Sequence, residues 1–390
     1  MDFPNGMAAY LVAAFSVLSV CYMIFGYPVL LAFGKARKGL PIAKDPAFEP
    51  TVTTVIAVYN GAQQVVRKLE TLSGLDYPAG KLDIVIVSDG STDGTDDLVG
   101  EFAAKQSCGP KVTLLRAERG GKAAALNLAI PVLTGDLVFF TDVRQPLEPS
   151  ALRHLAANFA DPTVGAVTGE MVLLRGDGGE QADMDLYWRY EIWARSRQSE
   201  IDSLFNTTGC IYAMRRELVE PLPPDTLIDD AVMPLRAFFK GYRVIFDPAA
   251  IAYDYPAVAG SEFRRRFRTL AGLWQVFVRI PALFTSRNRM RVHVLSHKFS
   301  RLLLPWALLA TFAATLAMPS TGFRTVLLIL ELLPVVLAGL NSFVPAGFPL
   351  KRLSSPARTF LVMNAAALLA VFVFVLPAAW IWKPTSTAKS

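Results

Sequence analysis

Four long runs with almost no charge constrain this chain before anything else. Phe3 to Gly34, Leu302 to Phe323 and Thr359 to Trp382 hold no Asp, Glu, Lys or Arg, and Thr325 to Leu350 holds only Glu331. A helix crosses a bilayer with about 20 apolar residues, so each run is long enough to span. The third carries Pro334, Gly339, Pro345 and Pro349 and is expected to be kinked or re-entrant. A cleaved signal peptide would start basic and have a shorter apolar core. Here the start is MDFPNG, and Lys35, Arg37 and Lys38 follow the run. Positive charge marks the cytoplasmic side. Residue 35 onward is therefore expected in the cytoplasm, and so is the loop holding Lys351, Arg352 and Arg358. Four spans with both ends outside result, as expected of a multi-pass plasma-membrane protein. Trp380 and Trp382 are placed as interfacial anchors.

Composition agrees. The chain is 53% apolar and 18% charged, with mean hydropathy +0.36, too apolar for an ordinary soluble protein. The net charge of +6 then points to an anionic membrane surface rather than nucleic acid. Cys21, Cys108 and Cys210 form no CxxC pair, which argues against a disulfide framework or a zinc site.

The 390 residues have room for a second domain. Between residues 49 and 260 the pattern changes. β-rich runs (VTTVIAVY, LDIVIVSD, KVTLLRA, DLVFFTD) alternate with helical stretches such as QQVVRKLETL and KAAALNLAIPVL. This alternation predicts a mostly parallel α/β sheet covered by helices. Ligands in such sheets sit at the carboxyl ends of strands, where Tyr59-Asn60, Ser88-Asp89 and Thr141-Asp142 all fall. In SDGSTDGT (Ser88 to Thr95), Gly90 and Gly94 permit a tight turn with positive φ, and Asp89 is placed to accept hydrogen bonds from a base or ribose. Read only locally, the octapeptide is also an Asx-type turn into a helix capped by Thr95, with Asp96 and Asp97 in its first turn.

Residues 261–301 carry ten Lys and Arg against one acid, Glu262, with Phe263, Phe267, Leu270, Leu273, Trp274, Phe277 and Ile280 at near-helical spacing. This predicts amphipathic helices lying in the headgroup layer; a basic soluble helix is the alternative. Residues 1–34 form one span and 302–382 about three more.

AVYNG (Ala57 to Gly61), SDGSTDGT, GGKAAALN (Gly120 to Asn127) and TDVRQ (Thr141 to Gln145) together resemble the family 2 glycosyltransferases, whose catalytic domain has the GT-A fold, a Rossmann-like sheet. The resemblance covers roughly residues 50–275. The flanking spans and basic segment further resemble the membrane-integrated members, which include cellulose, chitin and hyaluronan synthases. The resemblance implies that Tyr59 packs on the base and that Asp89, helped by Asp93, binds base or ribose. It places Lys122 near the donor phosphates, where the bland reading is an exposed helix-start lysine. Asp142 matches the first acid of the family's D-x-D and faces the ribose or a metal. DTLIDDAVMPLRAFFKGYRVIF (Asp225 to Phe246) resembles the segment carrying the catalytic base, which aligns with Asp230; helix capping by Asp229 and Asp230 is compatible with that role. NTTGCIYAMRREL (Asn206 to Leu218) resembles the acceptor loop, lined by Thr208, Gly209 and Cys210, the thiol read as buried and inert. Gly169-Glu170 is a weaker match.

Two departures stand out. Aligned on Gly272, the synthases' Q-x-x-R-W puts Arg265 at the glutamine, Arg268 at the diphosphate-binding arginine and Thr269 at the tryptophan. Trp274 is expected to face lipid or the domain instead. Second, Arg144 replaces the second acid of D-x-D. Either Asp142 holds Mg²⁺ or Mn²⁺ with Arg144 turned away, the arrangement favoured by the rest of the pattern, or Arg144, Arg268 and Lys122 neutralise the diphosphate directly. The resemblance implies an inverting transferase that takes a cytosolic nucleotide sugar, with UDP the expected nucleotide, and extends a polysaccharide or glycan. A single transfer to a lipid (ceramide, diacylglycerol or polyprenyl phosphate) is the alternative acceptor reading, and a non-catalytic nucleotide-binding scaffold the alternative of another class.

Overall fold

The structure is a computed structural model. It describes residues 7–33, 41–106, 109–174, 181–255, 261–345 and 347–375, the side chains of 181–188 and 261–262 excepted. The basic cluster at Lys35, Arg37 and Lys38 and the anchors Trp380 and Trp382 lie outside the described residues.

Seven strands form one sheet: β1 (Val52–Val58), β2 (Leu82–Asp89), β3 (Lys111–Ala117), β4 (Leu137–Phe140), β5 (Val164–Leu173), β6 (Tyr212–Arg215) and β7 (Arg243–Asp254), in the order β3-β2-β1-β4-β6-β5-β7. β6 runs antiparallel to β4 and β5, and every other pairing is parallel. This is the expected mostly parallel sheet. Its strands are apolar on both faces because helices cover both. Successive side chains point to opposite faces, so Leu137 and Phe139 enter one core with the helices Val65–Ser73 and Ala151–Ala157. Val138 and Phe140 enter the other, under the helices Lys122–Ala129, Asp229–Phe239 and Ser261–Arg279. The parallel register brings the carboxyl ends of β1, β2, β4 and β7 to one edge, with Asp89, Asp142 and Asp254 along it.

Among the described residues, four helices are long and apolar enough to cross a membrane: Met7–Phe33, Arg291–Ala317, Gly322–Leu340 and Lys351–Phe374. Their bounds differ from the charge-free runs. The second starts inside the basic segment and stops at Ala317, because the residue before Pro319 is pushed out of the helical region; Met318 is extended, with ψ 151. The third is a continuous helix that contains both Pro334 and Gly339, and Pro345 and Pro349 lie after its end. Lys351, Arg352 and Arg358, expected in a loop, open the fourth helix instead.

The first and second of these helices run antiparallel. Ala9 and Ala13 meet Ala314 and Met318, while at the other end the Tyr22 hydroxyl lies 2.6 Å from Ser296 Oγ and Tyr27 stacks on His297. The basic helix Ser261–Arg279 turns its apolar face toward protein, where a headgroup-layer placement was expected to give it to lipid. Leu270, Ala271, Leu273, Val276 and Phe277 are buried in the sheet's core, together with Leu302 and with Ala366, Ala367, Ala370 and Val373 of the last helix. Trp274 packs against the same core and meets Phe299 edge-on, so it faces the domain.

Candidate active site

A cleft of about 600 Å³ opens along the strand-end edge. It is lined by Tyr59, Asp89, Lys122, Asp142, Arg144, Thr208, Gly209, Cys210, Asp230 and Arg268, among others, and so gathers residues from across the chain.

At the end formed by β1 and β2, the loop after Val58 turns through Asn60, whose φ of 49 is left-handed. Asparagine enters this region more readily than most residues, and its Oδ1 accepts from the Thr92 amide of the loop after β2 at 2.9 Å. Gly90 and Gly94, at φ 68 and 89, make the turn the sequence predicts. Asp89 is buried and accepts from the amides of Gly120 (2.7 Å) and Gly121 (3.0 Å) and from Arg119. The Arg119 guanidinium lies over the Tyr59 ring, 3.6 Å from its centroid. Asp93, expected to help Asp89 with the nucleotide, sits on the same turn. It is not among the cleft-lining residues. Its oxygens accept from the Thr95 amide and hydroxyl and from the Ala62 amide, so it caps the following helix and ties two loops together.

At the centre, Lys122 Nζ lies 3.0 Å from Asp142 Oδ1 and 3.3 Å from Asp229 Oδ2. Burial works against its charge, but Asp142, Asp229 and Asp230 outweigh that and hold the ammonium above its ordinary value. Asp229 and Asp230 open the helix Asp229–Phe239, where the backbone dipole favours carboxylates. Asp230 is nonetheless pushed up to about 7, first by burial and then by the Asp229 charge, with Lys122 opposing. The loop from Asn206 to Cys210 is pinned to it, since the Thr207 amide and hydroxyl donate to the Asp230 carbonyl at 2.8 and 2.9 Å. A Cβ on Gly209 would stand 3.4 Å from Asp230 Oδ2. Thr208 Oγ1 accepts from Arg195 Nη1 at 2.6 Å. Cys210 is buried and free, its thiol pushed up by burial, which suits an inert filler. Arg268 lines the same cleft; burial presses its pKa below the ordinary arginine value while the charges of Asp142 and Asp230 oppose.

Arg144 turns away from Asp142. Residues 146–148 run beside 251–253 on β7, with Tyr253 N donating to Pro146 O and Glu148 N to Ile251 O. That carries Arg144 onto Asp254 at 2.8 Å, where Gln145 Nε2 also donates at 3.1 Å. Among the described residues no group of three or more His, Cys, Asp or Glu is arranged to hold a metal ion. A lone hard carboxylate such as Asp142 would hold a hard cation only with further oxygens from a bound ligand, not as a cage of protein groups.

Two more residues matter here. Lys68 is 2% exposed, and its Nζ donates to Thr141 Oγ1 at 2.7 Å and to Gln145 O at 2.6 Å; Thr141 Oγ1 in turn donates to Cys210 O. It braces the loop that holds Asp142 from behind. The helical spacing Val65, Lys68, Leu69, Leu72 puts it on the buried face, a signal legible in the sequence. Asp254 ends a strand as Asp89 does, and could have been found on that ground.

Residues 53–222 match the sequence profile of Glycosyl transferase family 2. The chain carries a family 2 glycosyltransferase domain. The glycosyltransferase is similar in structure to the mannosyltransferase PcManGT from Pyrobaculum calidifontis, solved with GDP-Man and Mn²⁺. The TM-score is 0.73 and the identity 27%, over 93% of this chain and 99% of that one. In sequence it is 26% identical over 299 residues to the probable glycosyltransferase YdaM of Bacillus subtilis (strain 168), covering 71% of this chain and 70% of YdaM. It is 24% identical to a beta-monoglucosyldiacylglycerol synthase of Nostoc sp. and 24% to a poly-beta-1,6-N-acetyl-D-glucosamine synthase of Staphylococcus aureus. Those matches cover 51% and 58% of this chain and about half of each relative, 44% and 56%. The sheet of this glycosyltransferase has the GT-A fold, and its apolar helices fit membrane integration.

Proposed function

We propose that the chain is an inverting membrane glycosyltransferase that takes its sugar from a nucleoside-diphosphate donor on the cytoplasmic side. The observation that carries this is the meeting of Asp230 with Lys122, Asp142 and Arg268 in one cleft. Tyr59 and Asp89 receive the nucleoside, and Arg119 must yield the face of Tyr59 as the base arrives. Lys122 and Arg268 meet the diphosphate, where stabilising the charge of the leaving group is the main catalytic demand. Asp230 takes the proton of the acceptor hydroxyl; a carboxylate poised near neutral pH is well matched to that work. Asp142 would hold a divalent cation, which would supply further charge neutralisation to the leaving diphosphate. Thr208 and Gly209 shape the acceptor side. A growing glycan and a membrane lipid are the two acceptor classes, and relatives are named for each.

The test is nucleotide release by the purified full-length protein in nanodiscs, across UDP- and GDP-sugars, with Mn²⁺, with Mg²⁺ and with EDTA. Release specific to one donor and lost in Asp230→Asn is expected. Release that survives Asp230→Asn would remove Asp230 from the chemistry. No release from any donor, in membranes carrying native lipids and glycans, would favour the scaffold reading.

A further inference from the structure

The cleft does not end at Asp230. Beyond the Thr208 loop it continues to Glu191 and Arg195, on the helix Gln181–Ile201, and to Lys298, Arg301 and Met363, on two of the apolar helices. Arg301 Nη2 lies 2.5 Å from Glu191 Oε1, Lys298 Nζ lies 3.3 Å from Oε2, and Arg195 reaches back to Thr208. Three cations thus face one carboxylate. Arg265 and Arg266 add positive charge along the same wall, and Ile192, Leu273 and Met363 supply apolar surface. Tyr59, at the far nucleoside end, is the one aromatic among the described lining residues. A site that grips a neutral sugar chain needs flat rings for the sugar faces and mixed donors and acceptors for the hydroxyls. This end offers an excess of cations over its one carboxylate, Glu191, together with aliphatic groups, beside membrane helices.

We propose that this end of the cleft binds a phosphate group on a lipid-linked acceptor. The proposal rests on the transferase reading above and names its acceptor class. Lys298 and Arg301 hold the phosphate, since charge-assisted hydrogen bonds from such groups are the strong ones. Arg195 spans the gap to Thr208, so a hydroxyl beyond the phosphate comes to Asp230. In the transfer, that hydroxyl gives its proton to Asp230 and its oxygen bonds to the anomeric carbon. The anomeric carbon–oxygen bond to the diphosphate breaks, its electron pair leaving with the nucleoside diphosphate. The acceptor's own phosphate is unchanged.

Binding is measured without any sugar donor, so its outcome is independent of turnover. Full-length protein in phosphatidylcholine nanodiscs is titrated with farnesyl phosphate, farnesol and inorganic phosphate. Farnesyl phosphate is expected to bind at least about tenfold more tightly than either of the others. Lys298→Gln, which leaves the Arg301–Glu191 pair in place, is expected to weaken it by about tenfold, the scale of one charged hydrogen bond. Lys298→Arg should restore it. Equal binding of farnesol, or no effect of Lys298→Gln in a protein that keeps its thermal unfolding temperature, would overturn the proposal. Inorganic phosphate binding as tightly as farnesyl phosphate would overturn the lipid source.

Discussion

Arg144 Nη2 sits 2.8 Å from Asp254 Oδ2, and Asp254 is 1% exposed. The cation that replaces a second strand-end acid is therefore neutralised by a carboxylate 110 residues away, and the space beside Asp142 is not taken by a bare guanidinium. Breaking a buried pair by removing one partner costs about 3 kcal/mol or more. Arg144→Asp is expected to cost at least that in thermal unfolding of the reconstituted protein, because it sets a new acid beside a stranded one. Mn²⁺ should restore part of the loss, as any ligand of the folded state does. An unchanged unfolding temperature would show that the pair does not hold the strand ends.

In its proposed role as the base, Asp230 would set the pH dependence of turnover. A general base works only when deprotonated, and burial with Asp229 pushes Asp230 up to about 7. Turnover should therefore fall as pH drops through about 7, where an unshifted aspartate would stay active to near 4. Asp230→Asn should lower kcat by about 10² to 10⁴ while nucleotide affinity holds. A flat profile from pH 5.5 to 8 would count against Asp230 as the base.

Lys68 gives a pH signature in stability. Burial pushes it from 10.5 down to about 7. Between those values the unfolded chain binds a proton that the folded one does not, so stability rises with pH across that window. The slope approaches about 1.4 kcal/mol per pH unit in the ideal case, less where relaxation admits water. Lys68→Met should flatten the rise between pH 7 and 9.5. Parallel unfolding curves for the two proteins would rule the effect out.

Gly169 is structural. A Cβ there would stand 2.2 Å from Ala250 O and 2.8 Å from Ile211 Cδ1, at the register shift between β5 and β7. Gly169→Ala should destabilise by about 1 to 3 kcal/mol and lower the yield of folded protein, with kcat per folded molecule unchanged. A drop in kcat at full stability would give it a role in the cleft.

The sheet was legible because short β-rich apolar runs alternating with helical stretches are local patterns, and so were Asp89, Asp142 and Asp230 at strand and helix ends. What stayed hidden depends on pairing across the chain. Arg144 looks free until Asp254 is beside it. Lys298 and Arg301 look like headgroup-facing cations until Glu191, more than a hundred residues earlier, draws them inward. Asp93 differs from Asp89 only in which loop it meets. The span limits shifted for a simpler reason: absence of charge marks where a helix can sit in lipid, while Pro319 and the Thr321 cap decide where it stops.

The helix bearing Arg268 shares one apolar core with Leu302 and with Ala366, Ala367, Ala370 and Val373. The catalytic half of this protein is therefore not a detachable module. Trimming the chain before Ser300 would uncover that core, and a fragment so made should aggregate instead of working in solution. Solubilisation has the same exposure: a detergent that pries the last helix loose loosens the wall that carries Arg268, so activity would decay before the sheet itself unravels.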